Sequence, residues 1–432
     1  AILRMIQFFS RSRSPEVRLA CAALRVELGG ADSAPRLDSL KDALKAGPDP
    51  DRLGRFCVHH GISPSVYRGL EKAGEPAVES LREALTPSVK ACAATGLRKA
   101  EVLTEILERF AGAGIDTIPL KGIGLDVRFY GGPGSRKDSD HDLLVRRSQL
   151  PEAARVLREM GFQSSKLESP SSGLPPPERW PEALPDHHGP PFVLPVEKGP
   201  SVPVELHWNV SPRLRRFPLR DPDALTADFW NRSREGTLLG QPVRWLSPTD
   251  EILLLLLHAA RHLTYGTLGL YFRLAMLEDI ARAASGLSEV DPGRLRWRAR
   301  RVGPVAILGP LRHLWKRVLG PAPPWLGASA ASEWPPTWGR PLVPDAHLLG
   351  ESATKRAGRR RPRLHKLRST CVSLLLLQHP ADRKAVLRAF AKALLTPNEK
   401  DRAALPFKVS FGEEAVYRLV RLGRLAKRVM GR

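Results

Sequence analysis

Residues 115–145, IDTIPLKGIGLDVRFYGGPGSRKDSDHDLLV, contain the pattern that decides the fold. Its parts predict, in turn, a strand, a helix, a glycine-rich charged loop and a second strand: IDTIPL (115–120), KGIGLDVRFY (121–130), GGPGSRKDS (131–139) and DHDLLV (140–145). SQLPEAARVLREMGF (148–162) follows with apolar residues at helical spacing. The order strand–helix–strand–helix predicts an α/β core.

The sequence around this core predicts helices on both sides. VPVELHWNV (202–210) and FVLPVEK (192–198) are further candidate strands, so the fold class is α+β or α/β with a small mixed β-sheet. The predicted regions are a helical N-terminal region (1–110), a core with a Pro-rich insert at about 163–200 (111–245), a helical region that completes the cleft (246–290), and a basic, Pro- and Arg-rich, partly helical C-terminal region (291–432).

The composition limits the classes of function. The formal net charge is +23, from 68 Lys and Arg against 45 Asp and Glu. Such a charge attracts polyanions, although a composition rich in Ala, Arg, Gly, Leu and Pro produces it equally well. The longest apolar run, 252–257, is far shorter than the roughly 20 residues of a membrane span. The four cysteines form no CxxC pair, which favours a reducing cytoplasm over a zinc site or a disulfide framework.

The centre of the chemistry is the pair Asp140 and Asp142. Side chains alternate along a strand, so both carboxylates are expected on one face, about 7 Å apart, with His141 on the other. Two carboxylates on one face repel unless a cation lies between them. Mg²⁺ suits such a site because it takes oxygen ligands and bridges substrate phosphates. Two such ions would activate an attacking oxygen and neutralise a leaving pyrophosphate. A solvated pair of edge charges is the alternative.

Two flanking segments add to this pair. Lys121 and Gly122 lie at a predicted strand-to-helix turn, where free backbone N–H groups and a lysine receive phosphate. Glu205 lies on a candidate strand and shares a face with His207. A carboxylate at Glu205 would complete a metal-binding triad with the two aspartates. Taken singly, each segment has a simpler explanation. Lys121 and Gly122 would form an ordinary turn, and Glu205 would be a surface residue of a strand.

Other candidates carry weaker signals. His258 and His262 are four residues apart and share a helix face, which suits zinc, but Ala259 stands where an HEXXH motif needs Glu. A pair lining the cleft is the favoured interpretation, with His262 near a nucleotide phosphate as an alternative. The run KRAGRRRPRLHKLR (355–368) predicts either a nucleic-acid contact or a solvated basic linker.

The combination of these motifs resembles a known family. The positions that carry the resemblance are Lys121-Gly122, Tyr130, Arg136, Asp140-x-Asp142, Gly161-Phe162, Glu205-x-His207-Trp208, His258, Arg261, His262, Arg273 and Asp279-Ile280. Together with the helical lead-in FCVHHGISPSVYRGL (56–70), they are similar to an uncharacterised bacterial nucleotidyltransferase family over roughly residues 15–285. That family in turn resembles the superfamily of DNA polymerase beta and the aminoglycoside nucleotidyltransferases.

The resemblance implies an enzyme and a role for each residue. Asp140 and Asp142 would hold the metal ions, Glu205 would be the third acid and act on the acceptor hydroxyl, and Lys121 with Gly122 would contact the triphosphate. The resemblance also implies a role for Arg136, which would stabilise charge at the reacting phosphate.

The expected activity is transfer of a nucleoside monophosphate from an NTP such as ATP to a hydroxyl or phosphate acceptor, with Mg²⁺ and release of pyrophosphate. The acceptor is open between a small molecule, a peptide and RNA. The alternative is a protein of the same fold with weakened catalysis that binds RNA, a peptide or a biosynthetic partner. Three features motivate this alternative: the histidine between the two aspartates, a glutamate rather than the shorter aspartate at Glu205, and the positive net charge of the chain.

Overall fold

The computed structural model describes residues 14–29, 34–164, 175–184, 188–195, 201–210, 221–264, 273–286, 290–302 and 308–326. The predicted basic run at 355–368, and the rest of the chain after 326, lie outside the described residues.

Helices form the first part of the chain. They are α1 (Pro15–Glu27), α2 (Ala34–Leu44), α3 (Pro50–His60), α4 (Ser63–Glu71) and α5 (Glu79–Gly112). Helix α5 begins at Glu79 and continues through Pro87. Leu81 and Leu85, which precede Pro87 in α5, are buried against the other helices. The stabilisation from this burial outweighs the loss of the single backbone hydrogen bond that a proline removes.

A mixed four-stranded sheet follows. Its strands are β1 (Thr117–Pro119), β2 (His141–Val145), β3 (Phe192–Val193) and β4 (Pro203–His207), in the spatial order β1-β2-β4-β3. Strand β4 is parallel to β2, whereas β1 is antiparallel to β2 and β3 is antiparallel to β4. The small mixed sheet between helices confirms the predicted fold class.

The connection between β1 and β2 is a short helix and a loop rather than a crossover of the sheet. Helix α6 (Ile123–Phe129) has only seven residues and packs against a later helix, α11 (Leu274–Gly286). Because α6 does not cross the sheet, the chain returns through the loop at 131–139 and β2 runs antiparallel to β1.

One face of the sheet is apolar and is covered by helices. Leu143 and Leu206 point to this side and share a core cluster with Ile106 of α5 and with Ala153 of α7 (Leu150–Glu159). Since side chains alternate along each strand, the opposite face receives Asp142, Glu205 and His207.

The later elements complete the helical part. They are α8 (Trp180–Ala183), α9 (Pro222–Arg232), the antiparallel hairpin of β5 (Arg234–Leu238) and β6 (Gln241–Trp245), α10 (Pro248–Thr264), α11, α12 (Pro292–Val302) and α13 (Leu308–Val318). Helices α10 and α11 share a second core cluster with α1–α4. None of the helices in the described part of the chain has the length and apolar character that crossing a bilayer requires.

A close glycine contact fixes the loop at 131–139 against α5. A Cβ atom placed on Gly96 would lie 2.2 Å from Cα of Gly134, and Gly134 itself has φ +81°. Only glycine at both positions allows the backbones to approach this closely. The loop that leads into β2 is thereby held on the helix.

Candidate active site

The parallel pairing of β2 and β4 brings two carboxylates together. Asp142 and Glu205 are register partners on the polar face of the sheet. The Asp142 side chain is 5% exposed, whereas that of Glu205 is 22% exposed. The deeper carboxylate therefore lies beneath one that solvent and ligands can reach.

His207 bridges these two acids. Its Nε2 lies 2.8 Å from Oδ1 of Asp142 and 3.6 Å from Oε2 of Glu205. Burial alone would lower the pKa of His207, but the hydrogen bonds that both carboxylates accept from its ring outweigh burial and raise this pKa. The two acids therefore favour a proton on this imidazole, and a metal ion bound by the three groups would displace that proton.

Lys121 supplies a second cation. Its Nζ lies 2.8 Å from Oδ2 of Asp142 and 3.5 Å from Nδ1 of His258. Burial would raise the pKa of Asp142, but the charges of Lys121 and His207 hold it well below its usual value. Asp142 is therefore ionised, and Lys121 links the sheet to helix α10.

Gly122 makes the tight turn before α6. Its φ is +65°, and a Cβ there would lie 2.9 Å from the Asp138 carboxylate and 3.3 Å from the backbone oxygen of Asp140. A side chain would push this turn away from the loop. Glycine keeps the backbone next to the carboxylate cluster.

Asp140 lies just before β2 rather than inside it, because the strand begins at His141. Its Oδ1 accepts a hydrogen bond of 2.9 Å from the Ser139 hydroxyl. Burial, followed by the nearby charge of Asp142, raises the pKa of Asp140. A cation between Asp140 and Asp142 would relieve the repulsion between their like charges.

A buried lysine that the sequence analysis missed anchors this segment. Lys99 of α5 has a 2% exposed side chain, pairs with Asp138 and donates to the backbone oxygen of Asp140 at 3.0 Å. Although burial opposes it, the charges of Lys99 and Arg136 lower the pKa of Asp138. Lys99 lies between Gly96 and Leu103 on the buried face of an amphipathic helix, and a charge on such a face was the available signal.

His141, between the two aspartates, points to the helical side. It is 2% exposed, and its Nε2 lies 3.1 Å from the backbone oxygen of Lys99. Burial, with the charge of Lys99, lowers the pKa of His141 to about 4, so the ring is neutral. The histidine therefore fastens β2 to α5 and lies on the face away from the carboxylates.

Arg136 is held by a carboxylate of α11. Its Nε and Nη2 lie 2.6 and 2.7 Å from the two oxygens of Asp279, and its side chain is 11% exposed. The Tyr130 hydroxyl donates to the same Asp279 at 2.7 Å. Three positions of the family resemblance thus form one buried cluster behind the loop. The implied contact between Arg136 and a phosphate remains a prediction.

His258 and His262 stack at the far side of Lys121. Their ring centroids are 4.5 Å apart, in an edge-to-face arrangement. Among the described residues, the group whose ligand atoms converge for a metal ion is Asp142, Glu205 and His207, all within 4.8 Å of one another. That group does not include the two histidines of α10, and the expectation that they line the cleft remains a prediction.

A buried acid near the loop makes the stability depend on pH. Oδ2 of Asp126 in α6 accepts the Gly134 N–H at 3.0 Å, and burial raises the pKa of Asp126 to about 7. The folded chain therefore holds a proton that the unfolded chain releases. The contribution of Asp126 to the free energy of unfolding is fully present below about pH 4. It is lost as the pH rises through about 7, where the folded acid ionises, and the loss is at most about 1.4 kcal/mol per pH unit.

Asp126→Asn is expected to remove this loss, because the amide oxygen still accepts the Gly134 N–H without a charge. Relative to wild type, the variant should gain stability at about pH 8 and gain little or nothing at about pH 4. Urea denaturation at both pH values measures the difference. Asp116→Asn, at a half-exposed acid, is the control. A gain of equal size at both pH values would contradict the assignment.

A mixed sheet that carries paired acids beside a Lys-Gly turn is an arrangement suited to handling nucleoside triphosphates. The family model described as uncharacterised nucleotidyltransferase matches residues 46–320. The chain belongs to this family and is a nucleotidyltransferase. No curated protein and no solved structure matches it.

Proposed function

We propose that the chain transfers a nucleoside monophosphate from an NTP to a hydroxyl or phosphate acceptor, with Mg²⁺ and release of pyrophosphate. The observation that carries the proposal is the register pair of Asp142 and Glu205 with Lys121 against it. The two acids match the charge of a metal ion, and the lysine matches the charge of a triphosphate; Glu205 and Lys121 are also partly exposed to solvent. Family membership supports nucleotide transfer.

The donor set fits a divalent cation. Asp142, Glu205 and His207 offer ligand atoms within 4.8 Å of one another, and Asp140 adds a carboxylate at the start of the same strand. Carboxylate oxygens are the ligands that Mg²⁺ prefers. Bound there, one or two ions would neutralise the triphosphate and make the acceptor hydroxyl more acidic.

The chain's own residues perform the remaining tasks. Hydrogen bonding from His207 outweighs burial and lowers the pKa of Glu205, so this acid is ionised and accepts the proton of the acceptor hydroxyl. The acceptor oxygen then forms a bond to the α-phosphorus while the bond from that phosphorus to the pyrophosphate oxygen breaks. Lys121 donates to the phosphate oxygens, and the Gly122 turn lets them approach the backbone.

The experiment is incubation of the full chain with α-labelled NTPs, Mg²⁺ and candidate acceptors, with separate measurement of NTP binding. Lys121→Met is expected to weaken NTP binding by about tenfold, the equivalent of about 1.4 kcal/mol. Lys90→Met, at an exposed lysine of α5, removes the same charge elsewhere and should have no effect. If neither transfer nor metal-dependent NTP binding occurs, the proposal is wrong.

A second candidate is a binding protein of the same fold without turnover. Its support is that Asp142 and Glu205 already have cationic partners in Lys121 and His207. A salt-dependent affinity for RNA that Asp140→Asn leaves unchanged, together with no transfer, would favour this candidate.

A further inference from the structure

The candidate metal site contains a nitrogen ligand among its oxygen ligands. Two of its three groups are the carboxylates of Asp142 and Glu205, and the third is the imidazole of His207. Nε2 of His207 lies 2.8 Å from Oδ1 of Asp142 and 3.6 Å from Oε2 of Glu205. Two neighbouring ligands that bind one ion at roughly 2.1 Å are themselves about 3 Å apart. The spacing around His207 therefore suits three ligands of a single ion.

The two oxygens of the Asp142 carboxylate face different partners. Oδ2 lies 2.8 Å from Nζ of Lys121, whereas Oδ1 is the oxygen beside His207. Glu205 is the register partner of Asp142, and alternation along β4 places His207 on the same face as Glu205. The side of Asp142 on which an ion would bind is therefore not the side that the lysine holds.

A second imidazole lies beside the first. The Gly189 N–H donates to the backbone oxygen of Leu206 at 3.0 Å, so the segment that contains His188 runs along β4. The rings of His188 and His207 have centroids 5.0 Å apart. Nδ1 of His188 lies 2.7 Å from the backbone oxygen of Gly189 and 3.5 Å from Oε2 of Glu205. His188 is thus a neighbour that narrows the site, and it does not belong to the three converging ligands.

Burial and donor type together determine which ion suits this site. The side chains of His207 and Asp142 are only 4% and 5% exposed. Mg²⁺ requires oxygen ligands in a near-ideal octahedron and gives up its water reluctantly. Divalent first-row transition-metal ions, in contrast, bind imidazole together with carboxylate. A buried imidazole between two carboxylates therefore matches a transition-metal ion better than it matches Mg²⁺.

We propose that the ion held by Asp142, Glu205 and His207 is a divalent first-row transition-metal ion, and that the imidazole of His207 selects it over Mg²⁺. The claim about binding is independent of the reaction. That this ion takes part in nucleotide transfer rests on the proposed function. Mg²⁺ that enters with the triphosphate is a separate ion, for which Asp140 offers oxygen ligands.

The first test is pulsed electron paramagnetic resonance of Mn²⁺ bound to the full chain without nucleotide. A nitrogen nucleus bonded directly to Mn²⁺ modulates the electron spin echo, so the wild type should show this modulation. His207→Gln should lose the modulation, whereas His188→Gln should keep it. His59→Gln is the matched control, because this half-buried histidine lies at the end of α3 and outside the three ligands. It should also keep the modulation.

Competition between Mn²⁺ and Mg²⁺ measures the selectivity separately. His207→Asp replaces the nitrogen ligand by an oxygen ligand and keeps a group that binds the ion. The ratio of Mn²⁺ affinity to Mg²⁺ affinity is expected to fall by about tenfold in this variant, the equivalent of about 1.4 kcal/mol. The same substitution at His59 should leave the ratio unchanged.

The outcomes separate this proposal from the proposed function. Bound Mn²⁺ without nitrogen modulation, an equal affinity ratio in wild type and His207→Asp, or no Mn²⁺ binding at all would overturn the selection by His207. Transfer that proceeds with Mg²⁺ in such a protein would leave the proposed function in place. Conversely, nitrogen modulation in a protein that transfers no nucleotide with any ion would support the metal site and contradict the proposed function.

Discussion

Asp142→Asn is expected to reduce nucleotide transfer by at least about 10³-fold, a loss comparable to removal of a principal charged group in phosphoryl transfer. The carboxylate lies on strand β2, contacts both Lys121 and His207, and is the more buried of the two carboxylates of the candidate metal site. Asparagine keeps the shape but loses the negative charge. The substitution therefore removes attraction for the metal ion and leaves the strand in place.

Transfer of labelled nucleotide measures the effect, and titration with Mn²⁺ followed by electron paramagnetic resonance measures metal binding separately. Asp116→Asn is the matched control, because this aspartate is 46% exposed and pairs with Arg146 at the surface. It should leave both readouts unchanged. Transfer by Asp142→Asn within tenfold of wild type, in folded protein, would contradict a catalytic role for this residue.

Asp279→Ala is expected to lower the free energy of unfolding by about 3–5 kcal/mol, the usual result of breaking a buried ion pair from one side. Asp279 holds Arg136 through both carboxylate oxygens and accepts a hydrogen bond from Tyr130. Burial opposes the charge on Arg136, and Asp279 is the largest contribution that keeps its pKa high. Removal of the acid leaves a buried guanidinium without this partner.

Urea denaturation measures the loss, and Asp279→Asn provides a folded variant if alanine is too damaging. Tyr130→Phe removes one hydrogen bond of the same cluster and should cost only about 1 kcal/mol. If Asp279→Ala costs no more than Tyr130→Phe, the cluster does not stabilise the loop in the way that its geometry implies.

The sequence predicted the sheet better than its connections. The segments that contain β2 and β4 were located within a few residues, because their apolar alternation is local. The antiparallel direction of β1 was not predicted, since it depends on α6 packing against α11, about 150 residues later in the chain. No strand was predicted at 234–245, where the exposed faces of the hairpin carry charged residues.

The same division applies to the candidate site. Asp142, Glu205 and His207 were named from motif and alternation, and strand pairing brings their ligand atoms together. Lys99 was missed because its importance depends on Asp138, which lies 39 residues away. The catalytic roles of these residues remain predictions. Local sequence patterns predict which residues suit a given chemistry. Contacts with residues from another helix or strand are known only from the folded structure.

The contact between Gly96 and Gly134 has a consequence for how the site tolerates change. Neither glycine carries a charge, yet together they set the distance between α5 and the loop that contains Asp138 and leads to Asp140. A single added methyl group must move one backbone or the other. Uncharged substitutions at Gly96 or Gly134 are therefore expected to displace the carboxylates of Asp138 and Asp140, although the total charge of the site does not change.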